Sequence, residues 1–250
     1  MTPQYPSDRP SVFGRVGAVA ATFDAGLRAY MIRIYNYMAI GLVLTGLTAW
    51  GVANTPALMG LFYTTTETGR VGLSGLGMVA VFAPLAFVFF LGMGINRMQA
   101  STARNLFFAY SVLMGISLSS VFFAYTSESI AHTFFITAGT FAATSLWGYT
   151  TRRDLTGMGH FMLMGLFGLV IASLVNIFFH SSAVQFATSV LGVVIFTGLT
   201  AWDTQKLKEM YSVQANGEAT AKLAVMGALS LYMDFINLFL YLLRFLGRRE

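Results

Sequence analysis

Asp234 stands twelfth in an otherwise uncharged run of 21 residues, Leu223–Leu243. Placing a carboxylate in the middle of such a run costs about 2.5–3.5 kcal/mol on membrane-insertion scales. Residues of this kind face a bundle interior or water, and they commonly serve an ion path or a proton relay. Gly227, Ser230, Asp234, Asn237 and Tyr241 recur at steps of three and four, which puts them on one helical face. That stripe is small and polar, whereas Phe235, Phe239 and Leu243 point elsewhere. Packing is the rival role, because a protonated or hydrogen-bonded aspartate also holds helices together. The cost of the residue favours function.

Asp203 is the second candidate, in the string Thr200-Ala-Trp-Asp-Thr-Gln-Lys-Leu-Lys208 directly after the uncharged run Ala183–Trp202. With Lys206 and Lys208 snorkelling to the headgroups, Asp203 lies about one turn below them. Interfacial carboxylates beside lysines are ordinary, so spacing alone divides evenly between a site and a plain surface role. Arg97 ends one uncharged run and Arg104 precedes the next, and both fit membrane anchors. If Arg97 and Asp203 lie on the same side of the membrane, an ion pair between them is open.

Other chemistries find little support. His132, His160 and His180 belong to three different segments and do not read as a metal site. The absence of cysteine excludes disulfides, thiolate metal sites and a cysteine nucleophile. No phosphate-binding glycine loop with a lysine, no Ser-His-Asp ordering and no His-Glu-x-x-His motif occurs. No cofactor is expected. The net charge of +5, spread over 250 residues, makes no basic patch for nucleic acid.

The elements that must position these residues are membrane helices. Only 10% of the residues are charged and 56% are apolar, against about 25% charged in a soluble domain. Runs of about 20 uncharged residues mark spanning helices. Seven segments qualify: Ile34–Ala53, Ser74–Ile95, Asn105–Thr126, Ile130–Thr151, His160–Phe179, Ala183–Trp202 and, with its single aspartate, Leu223–Leu243. None alternates polar with apolar as a barrel strand would, so the expected fold class is an all-α integral membrane protein with seven transmembrane helices. Residues 1–29 read as a polar, flexible tail and 30–250 as the membrane domain. Val16–Phe23 resembles a signal-peptide core, but it has only eight weakly apolar residues with Asp24 at once behind them, and it is read as uncleaved. Asn54–Leu73 and Asp203–Lys222 are the two long connections.

Lys and Arg counts set the orientation. A cytoplasmic N-terminus puts eleven of them inside: Arg9, Arg15, Arg28, Arg33, Arg97, Arg104, Arg152, Arg153, Lys206, Lys208 and Lys222. Four remain outside: Arg70, Arg244, Arg248 and Arg249. Three of those four sit at the C-terminus, so a seventh segment that dips in and returns stays open beside seven full spans.

Three strings together resemble the Bax inhibitor family (transmembrane Bax-inhibitor-motif proteins) in its bacterial branch. They are Thr200-Ala-Trp-Asp203-Thr-Gln, Ser230-Leu-Tyr-Met-Asp234-Phe-Ile-Asn-Leu-Phe-Leu and Leu243-Arg-Phe-Leu-Gly247. Ala29-Tyr-Met-Ile-Arg-Ile-Tyr-Asn-Tyr-Met and Gly115-Ile-Ser-Leu-Ser fit as well. The resemblance covers nearly everything after residue 25. It implies a seven-helix fold with the last helix at the centre, a pH-sensitive calcium leak, and a bacterial inner-membrane location. It also implies a carboxylate pair that matches Asp203 and Asp234, and an arginine at the end of the second helix that matches Arg97. Ile95-Asn-Arg-Met-Gln differs from the arginine cluster of the family, and Trp202 stands where a tyrosine is usual. A straight helix puts Asp234 about 18 Å past Lys222, so the pairing rests on the resemblance and not on spacing.

The leading expectation is therefore a calcium-permeable leak channel, not an enzyme, gated by an aspartate pair that shares a proton. Asp203 and Asp234 would be sensor and Ca²⁺ ligand together, with Arg97 competing for the carboxylates and Ser230, Asn237 and Tyr241 as the supporting face. The partners are then the lipid bilayer, Ca²⁺ and protons. A membrane interaction protein that restrains a partner, such as a quality-control protease, is the alternative. An intramembrane aspartyl protease is disfavoured because Tyr232-Met-Asp-Phe-Ile lacks a glycine-rich Gly-x-Gly-Asp context.

Overall fold

A computed structural model describes residues 12–65, 71–211 and 217–248. Almost all of these residues are helical. The long helices are α1 (Val12–Asn54), α3 (Gly75–Gly94), α4 (Ala100–Leu118), α6 (Ser127–Thr150), α7 (Thr156–Phe179), α8 (Ser182–Glu209) and α9 (Gly217–Leu246). Short helices α2 (Pro56–Phe62) and α5 (Val121–Ala124) lie between them, and a 3₁₀ turn, Ile95–Arg97, follows α3. Strands β1 (Tyr63–Thr65) and β2 (Val71–Leu73) pair antiparallel, with Tyr63 opposite Leu73.

Local chemistry sets several boundaries. The Ser74, Thr126 and Ser181 hydroxyls accept from the N–H of Gly77, Ser129 and Val184, capping α3, α6 and α8. His180 closes α7 in the left-handed conformation, φ 50°. Pro56 occupies the first turn of α2, where no N–H is needed.

Among the described residues, six helices are long and apolar enough to cross a membrane: Asp24–Asn54, Gly75–Gly94, Ala100–Ala124, Thr156–Phe179, Ser182–Glu209 and Gly217–Leu246. The expected span Ile130–Thr151 is present as α6, but with His132 and five threonines between residues 130 and 150 it does not stand among the six. Exposed apolar side chains cover the outside, with Phe178 82% and Met93 77% exposed. An apolar surface on that scale calls for lipid. Within Gly217–Leu246, by contrast, 67% of the apolar window is buried, while α7 buries only 6% of its own.

Three expectations are corrected. The polar tail does not extend to residue 29, since helix begins at Val12; residues 1–11 lie outside the described residues. The connection Asn54–Leu73 is not plain loop: it contains α2 and the β1–β2 pair, tied down where Tyr63 Oη and Ser119 Oγ hydrogen bond at 2.8 Å. Its Glu67 and Arg70 lie outside the described residues. The connection Asp203–Lys222 is helical at both ends, because α8 runs on to Glu209 and α9 starts at Gly217. Asp203 is therefore an intrahelical residue. Helices outlast their uncharged cores because charged residues are good helix formers once past the hydrocarbon.

Candidate functional site

Helices α8 and α9 pack closely and antiparallel. Small residues allow that approach. A Cβ on Gly227 would come within 2.8 Å of Leu207 Cδ2, and Gly192 lies against the Tyr241 ring. These contacts fix the register and place Ser230 beside Asp203, whose Oδ2 accepts from Ser230 Oγ at 2.5 Å.

Asp203 and Asp234 lie near enough to each other to interact electrostatically. The 18 Å offset expected from counting vanishes because α8 stops short of the start of α9. Six residues separate Asp203 from the end of α8, while seventeen separate Gly217 from Asp234. The first two turns of α9 project beyond α8 and reach α4, where Glu218 Oε1 accepts from Ala100 N at 2.6 Å.

Asp234 is 6% exposed, and its Oδ2 is buried with no hydrogen-bond partner. An orphaned carboxyl oxygen in a packed interior is uncommon and calls for a proton, a water or an ion. Lys206, one turn beyond Asp203 on α8, acts electrostatically on Asp203, although its ammonium also sits 5.0 Å from the Trp202 ring centre. The sequence reading treated Lys206 only as a headgroup anchor; its i+3 spacing from Asp203 was the signal for more. Among the described residues, no three His, Asp or Glu side chains gather to hold a metal ion.

The remaining predicted site residues do not converge. Arg97 is exposed on the 3₁₀ turn after α3 and makes no ion pair with Asp203 among the described residues. Helix α3 packs on α4, which keeps its end away from α8. Asn237 Nδ2 donates to Met233 O at 2.9 Å and lines a separate cavity of about 160 Å³ with Pro84, Tyr110 and Ser117. Tyr241 stacks on Phe196 with ring centres 5.7 Å apart and lies under the Arg244 guanidinium. Of the expected supporting face, only Ser230 touches the pair.

Two hydroxyl chains that spacing did not reveal flank the site. Tyr35 Oη meets Ser145 Oγ at 2.6 Å, and Ser145 Oγ meets Thr204 Oγ1 at 2.9 Å, beside Asp203 in sequence. Tyr232 Oη meets Thr45 Oγ1 at 2.6 Å. Their members come from distant helices and follow no local motif.

A buried aspartate inside a helical bundle with an apolar exterior defines an integral membrane protein with an ionisable interior. Residues 27–250 match the family described as "Inhibitor of apoptosis-promoting Bax1", and the chain belongs to that Bax inhibitor family. Among its relatives is the protein RP147 of Rickettsia prowazekii, 51% identical over 229 residues, covering 92% of this chain and 93% of the relative. The inner membrane protein YbhL of Escherichia coli K12 is 48% identical, with 90% of this chain and 94% of YbhL covered. A protein of Borreliella burgdorferi is 43% identical over 222 residues.

Proposed function

We propose that the chain is a pH-sensitive, calcium-permeable leak channel of the bacterial inner membrane, gated by Asp203 and Asp234, and not an enzyme. The observation that carries this is the orphaned, buried Oδ2 of Asp234 beside the carboxyl group of Asp203. An ionised carboxylate only accepts hydrogen bonds, so a carboxyl–carboxyl contact requires a proton on one of the two. Removing that proton sets two charges against each other in a low-dielectric site. Separating α8 from α9, or admitting a cation, relieves the repulsion. Ca²⁺ suits such a site because it takes about six to eight oxygens in flexible geometry; the pair, Ser230 and water would supply them.

The location is that of the inner membrane protein YbhL, to which the chain is similar. In the same proposal α6 completes a seventh span, α9 is the central helix, and the N-terminus is cytoplasmic, in line with the uneven distribution of Lys and Arg. Burial of α9 supports its place in the middle.

Calcium flux into proteoliposomes across pH 5–8 tests the channel. Wild type is expected to show pH-dependent flux, while Asp234→Asn and Asp203→Asn lose the pH dependence. Unchanged flux-versus-pH curves in both variants would remove this mechanism.

A further inference from the structure

Helices α1 and α6 flank α9 without packing closely on each other. Between them runs an apolar trough. Near the start of the membrane-spanning part of α1, Asp24–Asn54, it widens to a cavity of about 550 Å³, lined by Arg28, Tyr35, Met38, Ala142, Leu146 and Tyr149 among others. Further along the same seam a second cavity of about 390 Å³ lies between Trp50 and Phe135, with Phe235 and Phe239 of α9 on its wall. The seam thus follows the membrane-spanning length of both helices.

Its two ends differ in charge. At the α1 start, Arg28 lines the cavity and is exposed, with no carboxylate among the lining residues. Behind it, Lys208 of α8 is held on Tyr149, donating to Tyr149 O at 2.9 Å with its ammonium 5.4 Å from the Tyr149 ring centre. Exposed Arg152 and Arg153 follow Tyr149 within four residues. The acids nearest in sequence are Asp24, one turn before Arg28, exposed Glu209, next to Lys208, and Asp154, whose Oδ1 accepts from Thr156 N. The cavity at the other end has no Lys, Arg, Asp or Glu in its lining.

We propose that this trough seats an anionic glycerophospholipid, with an acyl chain along the α1–α6 seam and the phosphate on Arg28. The apolar walls match a hydrocarbon chain, and the cationic end lies where a headgroup would reach it. A neutral lipid would fill the same trough but gain less from the cations. An incoming protein helix would have to cover Arg28 and leave its charge without a partner.

Electron paramagnetic resonance tests this with the full chain reconstituted in phosphatidylcholine bilayers, using spin-labelled phosphatidylglycerol and phosphatidylcholine as probes. The motionally restricted fraction gives the relative association of the two lipids. Wild type is expected to prefer phosphatidylglycerol about fivefold, the factor for one cation close to an anionic headgroup. Arg28→Gln should bring the ratio close to one, and Arg28→Lys should keep it. Ala142→Trp, which fills the trough and leaves every cation in place, should also abolish the preference. Equal association of both lipids with wild type, or a preference that survives both Arg28→Gln and Ala142→Trp, would overturn the proposal.

Discussion

At the scale of single residues, the structure buries Asp234 and leaves one of its carboxyl oxygens without a hydrogen-bond partner. Ser230, on α9, donates to Asp203. Ser230→Ala leaves Asp203 Oδ2 short of that bond, and a buried acceptor left unsatisfied costs about 1–3 kcal/mol. Thermal unfolding in detergent should show that loss, and a fall in Ca²⁺ flux alone, with unchanged melting, would contradict it. Asp154 gives a pH effect outside the spans. Its hydrogen bonds with Thr156 hold its carboxyl below the usual aspartate range. The stabilisation is therefore complete above the unfolded value and fades as pH falls through the lower folded one. Asp154→Asn should remove that slice of acid sensitivity, which NMR titration of the loop would follow. Asp234 was legible from one sequence because a charge inside an apolar run is conspicuous. Its partner was not, since Asp203 beside Lys206 has the pattern of an ordinary interfacial helix end.

At the scale of elements, close approach sets the geometry. The Cα of Gly148 on α6 packs directly on the Ala201 backbone of α8, and Gly159 of α7 packs on the Trp202 ring. Both neighbours precede Asp203 on the same helix. Gly148→Leu should push α6 off α8 and break the Ser145–Thr204 hydrogen bond, at a cost of about 1–3 kcal/mol. Reduced melting temperature, together with altered Ca²⁺ flux, would report it; an unperturbed variant would mean that α6 and α8 repack freely. The elements themselves were readable, because uncharged length and hydroxyl caps are local signals. Their ends were not. Helix α8 continues to Glu209 and α9 begins at Gly217 through residues that composition assigns to a loop, and that extension is what aligns the two aspartates. The Arg97–Asp203 pair fails at this scale too, since shared sidedness says nothing about which helices are neighbours.

At the scale of the whole molecule, the open question is how many times the chain crosses the membrane. The chain has no cysteine, so single-cysteine variants can be labelled without background. With seven spans and an inside N-terminus, Arg153→Cys faces the cytoplasm and Ser181→Cys the opposite side. An impermeant maleimide should then label Ser181→Cys in intact spheroplasts and Arg153→Cys only in inverted vesicles. The reversed pattern would mean that α6 does not cross.

The sequence alone determined that the chain lives in a membrane, which helices it forms, and that Asp234 needs an interior companion. These follow from solvation and helical periodicity, which act on residues near one another in the chain. Only the tertiary structure decided that Ser230 of α9 donates to Asp203 of α8, that Arg97 stands apart, and that apolar cavities open between α1 and α6. Which helices touch, and in what register, depends on contacts between small residues far apart in sequence, and no local pattern encodes them.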